Sequence, residues 1–274
     1  MGFTLICRGA RGSTPVSGTQ FHRYGGATTC YQVVLNDEHR LLIDAGSGAL
    51  NIGPVSSPAH FSILFTHLHW DHTQALPFFG PLYDPQNRFD FYGHRPNGMG
   101  IQDALDAVMQ PPYFPVTFHS APADKRFHHL NGAPLEIGGF SITYSSLYHP
   151  QGVTGYRLEK DGAVLTVATD VEHGDPDSDQ ALLKLAASSD VLIYDAQYHP
   201  EECATSKRGW GHSTWEAAVA LADAAGVGRL LLTSHDPSRT DDEIDKIAAL
   251  ARQQFPNTQA VAEGMVIEVG ETEA

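Results

Sequence analysis

Between positions 66 and 72 the chain reads Thr-His-Leu-His-Trp-Asp-His, which places His67, His69, Asp71 and His72 within six residues. Neutral imidazole and carboxylate are the donors that suit zinc and its borderline neighbours. The run before them, Phe61-Ser62-Ile63-Leu64-Phe65, is apolar enough for a buried strand, so the ligand types begin where a strand ends. A polar loop that is merely rich in histidine has no need of this spacing. A metal site is the expectation.

Other candidate residues occupy the same kind of place. Strands are predicted at Phe3–Cys7, Thr29–Leu35, Leu41–Ile43, Phe61–Phe65, Phe89–Tyr92, Phe140–Tyr144, Val164–Ala168, Val191–Tyr194, Arg229–Thr233 and Ala260–Val269. Asp44, His67, His149, Asp170, Asp195 and His235 each fall just past the carboxyl end of one of these runs. Sheets flanked by helices collect their chemistry at strand ends, where loops bring distant residues together. Helices are predicted at Ile101–Met109, Ser178–Ala187, from the Ser213–Glu216 capping box to Gly226, and at Thr240–Phe255, with a short turn of helix at Asp71-His72. The residues from Leu76 to Gln86 should form a packed irregular loop, and Asn36-Asp37-Glu38 a turn. Two segments admit two readings: Arg8 to Pro15 as a solvated connector or a basic lip for an anionic substrate, and Pro111 to Pro122 as a pocket rim or a loop covering the core. Two strand-rich halves divided near residues 150 to 160, with no linker, suggest two sheets face to face in one domain spanning 1–274.

Composition narrows the classes of function. Seventeen basic against 32 acidic residues give a net charge of −15. Gripping long nucleic acid depends on neutralising many phosphates with Lys and Arg, and this chain is poorly supplied for that. Cys7, Cys30 and Cys203 are an odd, scattered set that suggests neither a disulfide framework nor a thiolate metal site. No apolar stretch is long enough to span a bilayer and the N-terminus has no signal-peptide pattern, so a cytoplasmic protein with no membrane partner is expected.

Thr66 to His72, followed in order by His149, Asp170 and His235, resembles the metallo-β-lactamase superfamily over most of the chain. Gly211-His212-Ser213-Thr214 and the Ala-rich helix after it are similar to the phosphodiesterase branch that includes ribonuclease Z and the cyclic-phosphate diesterases. Arg11 to Pro15, Arg23 to Gly26 and Pro111 to Val116 look closer still to a group beside ribonuclease Z. The resemblance implies an α/β fold, a four-layer αββα sandwich, with two divalent metal ions in an edge cleft, usually zinc, with manganese or iron as alternatives. It implies His67, His69 and His149 on the first metal, Asp71, His72 and His235 on the second, and Asp170 bridging. Asp71 would also orient or deprotonate the attacking water, which a zinc ion brings to a pKa of about 7. Asp44 would fix a ligand histidine through its other ring N–H, or else cap the turn at Gly46.

His212 directly precedes the predicted helix start at Ser213, a place suited to phosphate oxygens. As an imidazolium it would stabilise developing charge or protonate the leaving alkoxide. Asp195 falls where ribonuclease Z tends to carry a Glu that supports this histidine. His22, His39, His60, His94, His119, His128, His129 and His173 show no ligand spacing and are read as solvated or locally bonded; His199 lies in a loop with Lys207 and Arg208 that could border the pocket. The bulky Trp70 stands where ribonuclease Z typically has Gly, and the basic arm that would grip tRNA is lacking. The expectation is therefore a di-metal hydrolase of a small or cyclic phosphodiester such as a cyclic nucleotide. A metal-dependent lactonase or other carbonyl hydrolase, a ribonuclease Z-like RNA-processing nuclease and a non-catalytic metal-containing sensor are the alternatives. Homodimers are common in this branch, so pairing is a further implication of the resemblance.

Overall fold

The computed structural model describes residues 2–36, 38–95 and 98–270; Asp37 of the expected turn and both ends of the expected 1–274 domain lie outside them. The strands are β1 (Phe3–Gly9), β2 (Cys30–Val34), β3 (His39–Ile43), β4 (His60–Leu64), β5 (Arg88–Gly93), β6 (Asp124–His129), β7 (Leu135–Ile137), β8 (Phe140–Leu147), β9 (Val153–Lys160), β10 (Ala163–Ala168), β11 (Val191–Asp195), β12 (Arg229–Thr233), β13 (Thr258–Ala260) and β14 (Val266–Val269). The helices are α1 (Trp70–Thr73), α2 (Ile101–Val108), α3 (Pro176–Ala186), α4 (Pro200–Ala204), α5 (Trp215–Ala225) and α6 (Asp241–Gln254).

Two seven-stranded sheets result, in the orders β14-β1-β2-β3-β4-β5-β6 and β13-β12-β11-β10-β9-β8-β7. Successive side chains of a strand point to opposite faces, so a strand buried on both faces feeds two cores. In β11, Val191 and Ile193 join the core between the sheets, while Leu192 and Tyr194 join the outer core under α3, α5 and α6. In β4, Leu64 faces inward and Phe61 and Ile63 face the core beneath α2. Three cores between four layers make the expected αββα sandwich. Each fully buried Leu, Ile or Phe contributes about 1.5–3 kcal/mol, which is why these strands read as continuous apolar runs.

Several expectations need correction. The sheets divide between β6 and β7, near residue 130, not at 150 to 160. The expected last strand, Ala260–Val269, is not continuous: it runs from the last residue of β13, which pairs with β12, through a turn at Gly264 to β14, which pairs with β1 in the other sheet. The sequence of β6, Asp-Lys-Arg-Phe-His-His, has no apolar alternation because it is an edge strand paired on one side with β5. The cap of α5 is Thr214, which accepts from the Ala217 N–H, one residue later than the expected Ser213.

The basic-lip reading of the 8–15 loop fails. Arg11 is fully buried, its guanidinium donating to the carbonyls of Gly25, Asp236 and Arg239, while Arg8 bonds Gln32 and the Asn51 carbonyl. The 111–122 loop covers a core: Phe118 is buried against Phe91 and Phe127. No helix among the described residues is long and apolar enough to cross a membrane.

Candidate metal centre

Parallel pairing puts the ends of β3 and β4 side by side in one sheet, and those of β10, β11 and β12 side by side in the other. The loops leaving these ends carry Asp44, the 66–72 segment, Asp170, Asp195 and Ser234. Three of the seven non-glycine residues with positive φ among the described residues lie in these loops, Asp44, Asp170 and Ser234, and two more, Ser13 and Gln151, bond Asp71 and His69 from neighbouring loops. Such backbone costs about 1–3 kcal/mol per residue and persists where the surroundings over-determine it.

Four imidazoles are each anchored by the ring nitrogen that faces away from a common centre. Nδ1 of His67 lies 3.1 Å from Thr66 Oγ1, and Nε2 of His69 lies 3.1 Å from Gln151 Oε1. Nδ1 of His149 donates to the Gly211 carbonyl at 2.7 Å, and Nδ1 of His72 donates to Asp44 Oδ2 at 2.8 Å. Asp44 also accepts from the Thr66 N–H and hydroxyl, so one buried carboxylate orients the whole turn that carries the cluster.

The inward nitrogens converge. His69 Nδ1 and His149 Nε2 stand 3.2 Å apart, and His72 Nε2 is 2.9 Å from Asp170 Oδ2 and 3.3 Å from Asp71 Oδ2. His67 Nε2 lies 3.8 Å from Asp170 Oδ2 and is buried with no hydrogen-bond partner. Ligand atoms of His67, His69 and His149 lie within 4.8 Å of one another, as do those of His67, His72 and Asp170. Anchored outer N–H groups and inward lone pairs are the arrangement that histidine ligands of metals adopt, and an orphaned buried nitrogen calls for a partner. The residues therefore fit a divalent metal centre.

Electrostatics agree. Burial lowers His67 well below its usual pKa and holds His149 near about 4, so both are neutral donors. At Asp170 burial opposes ionisation, but the neighbouring charges of His72 and His212 outweigh it and hold the carboxylate ionised. Burial likewise opposes charge on His72, yet Asp170, Asp71 and Asp44 around it raise its pKa well above 6.5. Three carboxylates around one imidazole leave local negative charge that a dication would compensate.

Six of the seven expected metal ligands thus come together. His235 enters none of the clusters among the described residues: its Nε2 donates to the Val261 carbonyl at 2.8 Å, which leaves Nδ1 as its basic nitrogen. Its neighbour Ser234 donates to Asp170 Oδ1 at 3.0 Å.

His212 and Asp195 meet beside this centre. Nδ1 of His212 is 2.7 Å from Asp195 Oδ2, and ligand atoms of Asp170, Asp195 and His212 lie within 4.8 Å of one another. Burial disfavours the imidazolium, but the charges of Asp195 and Asp170 override it and raise His212 to about 9. A cleft of about 510 Å³ is lined by His69, Asp71, His149, Asp170 and His212 together with Ser13, Trp70, Tyr198 and Trp210.

Some participants carried no sequence signal. The Ser13 N–H donates to Asp71 Oδ2 at 2.8 Å. Buried Glu172 accepts from the N–H groups of Gly209 and Gly211, each at 2.8 Å, and so fixes the loop leading into His212. Gly211 has φ 86°, and a Cβ there would collide with the His149 ring. The glycine in Gly-His-Ser-Thr could have flagged this contact; nothing near Glu172 could have. Of the histidines set aside, His173 bonds Ser213 Oγ, and His60 and His128 both bond Asp90, away from the cleft.

The chain belongs to the β-lactamase superfamily: the model of the family described as "Beta-lactamase superfamily domain" matches residues 39–235. It is 27% identical over 273 residues to ribonuclease Z of Lacticaseibacillus casei (strain BL23), covering 80% of this chain and 82% of that protein. The crystal structure of the metallo-β-lactamase fold protein YhfI from Bacillus subtilis superposes with a TM-score of 0.72 at 19% identity, covering 97% of this chain and 99% of that one. That of a diphosphatase from the PhnP family gives 0.70 at 18% identity, covering 98% and 97%. The two structures share its fold.

Proposed function

We propose that this chain is a di-metal hydrolase, one catalytic unit over its length, that cleaves small or cyclic phosphodiesters. The observation that carries the reading is the Asp195–His212 pair, 2.7 Å apart, whose His212 lines the same cleft as His69, Asp71, His149 and Asp170. His67, His69 and His149 would hold one cation and Asp71 and His72 the other, with Asp170 shared; His235 would join through Nδ1. Bound there, two divalent ions, zinc by donor type, supply Lewis acidity and an activated water.

The protein's own groups do the rest. Asp71, oriented by the Ser13 N–H, lines the cleft as an acceptor for a proton from the attacking water. His212, charged at neutral pH, stabilises the anionic phosphoryl oxygens and delivers its proton to the leaving alkoxide. Asp195 holds the Nδ1–H of His212, which leaves Nε2–H as the proton to be transferred, and Ser213 N–H fixes the other Asp195 oxygen at 2.9 Å. Ribonuclease Z activity is disfavoured by the net charge of −15.

The test is cleavage of bis(p-nitrophenyl) phosphate by protein loaded with zinc or manganese. Turnover that a chelator abolishes is expected, and on a 2′,3′-cyclic nucleotide, whose leaving alkoxide needs a proton, His212→Ala should lower turnover about 100-fold or more with metal content retained. Fast lactone hydrolysis with inert phosphodiesters would overturn the reading, as would a fully active His212→Ala protein.

A further inference from the structure

Two tryptophans stand in water at the mouth of the cleft, and the metal chemistry needs neither. Trp70 is 76% exposed and Trp210 57%, whereas the third tryptophan, Trp215, is 6% exposed in the core beneath α3, α5 and α6. Both exposed rings line the same cavity as His212 and Asp170. An indole is the largest apolar side chain, and leaving two unburied forgoes some of the strongest packing available to a chain.

Neither ring sits on a loose segment. The N–H groups on either side of Trp210 are bound by the two oxygens of Glu172, and Lys207 Nζ lies 3.9 Å from the Trp210 ring and 5.2 Å from that of Tyr198. Trp70 opens α1 between His69 and Asp71, and its carbonyl accepts from the Gln74 N–H at 2.7 Å. The Trp210 ring is thus held in place and the Trp70 ring stands on a fixed backbone, and wet aromatic rings on firm supports beside reacting groups are the means by which proteins stack flat ligands.

We propose that Trp70 and Trp210 form a stacking site for a flat aromatic substituent of the substrate, so that phosphodiesters bearing a nucleobase or an aryl ring are preferred over aliphatic ones. This rests on the phosphodiesterase reading and specifies its substrate class. Trp210 stands two residues from His212, so the stacked group lies beside the proton donor. Lys207 adds positive charge at the same rim, suited to an anionic ester.

The test compares zinc-loaded wild type, Trp70→Ala, Trp210→Ala and Trp210→Phe on three esters: a 2′,3′-cyclic nucleotide, methyl p-nitrophenyl phosphate and glycerophosphoethanolamine. Each alanine variant should raise KM for the aromatic esters about 5- to 100-fold with kcat little changed, and leave the aliphatic ester unaffected. Trp210→Phe should recover most of the loss. Preference for the nucleotide over the nitrophenyl ester assigns the site to a base, and the reverse to a simple aryl ring. Separately, a nucleoside monophosphate should quench the protein's tryptophan fluorescence and ethyl phosphate should not. Equal KM for aromatic and aliphatic esters in the wild type, with no quenching, overturns the stacking site and leaves the phosphodiesterase standing. Trp70→Ala that dissociates an oligomer in sedimentation with KM unchanged also overturns it, since that ring then packs on a second copy. If no phosphodiester is cleaved, the parent reading falls and quenching alone decides whether the aromatic site exists.

Discussion

Asp195 grips His212 and the residue after it with different oxygens: Oδ2 lies 2.7 Å from His212 Nδ1 and accepts from the Asp170 N–H, and Oδ1 accepts from the N–H of Ser213 at 2.9 Å. The carboxylate thus fixes both the orientation and the charge of the imidazole. Asp195→Asn keeps the shape and removes the charge that holds His212 protonated. Phosphodiester turnover at neutral pH should fall about 10- to 100-fold with metal content unchanged. Steady-state kinetics beside metal analysis check this, and an unchanged rate would leave Asp195 a purely structural residue.

Asp44 touches the candidate metal centre at one remove, through its contact with His72 Nδ1. Asp44→Asn weakens that acceptor, and metal affinity should fall about 10- to 100-fold. In the wild type, a cation held there would supply counter-charge to Asp71 and Asp170, so apparent Tm should fall with chelator and recover with zinc. Thermal melts across a zinc titration test both; a Tm indifferent to zinc would mean that the cluster holds no metal.

Glu172 serves two N–H groups at once. Glu172→Ala leaves both without their acceptor and frees the loop whose Gly211 carbonyl accepts from His149. The expected cost is about 1–3 kcal/mol of stability. Glu172→Gln, which keeps one acceptor oxygen, should lose less. Urea unfolding of the two variants gives the comparison, and equal losses would contradict the account.

The pH dependence of stability should show a contribution from His39, far from the cleft. Its Nε2 lies 2.9 Å from Ser62 Oγ and its ring stacks on His60 at 4.0 Å. Burial, with repulsion from His60 added, lowers its pKa from 6.5 to about 4. Between these values the unfolded chain binds the proton and the folded chain resists it, so stability is full above 6.5 and declines as pH falls towards 4. Partial exposure screens the effect and keeps it small. His39→Gln removes the titration, and its Tm should vary less with pH over that window; an identical pH profile would exclude His39 as a contributor.

The ligand cluster was legible because its signal is local. His67, His69, Asp71 and His72 fall on one turn after one strand, and Asp44, Asp170 and Asp195 each end an apolar run whose burial on both faces erases alternation. Edge strands such as β6 lack that signature, and the three residues of β13, Thr-Gln-Ala, are too few and too polar to mark a strand separate from β14 in another sheet. Arg11 looked like a surface cation because sequence carries no record of the carbonyls that surround it.

Residue types and their spacing determined that a set of side chains of metal-ligand type would gather at strand ends, and which histidine stood before a helix. Only tertiary structure decided that Asp195 reaches His212, that Glu172 clamps the loop between them and His149, and that His235 turns its Nε2 to a carbonyl. The physical reason is range: propensity and pattern act over a few neighbours along the chain, whereas the hydrogen bond between residues 149 and 211 exists only once the strands of the second sheet have assembled and brought two of its loops within 3 Å.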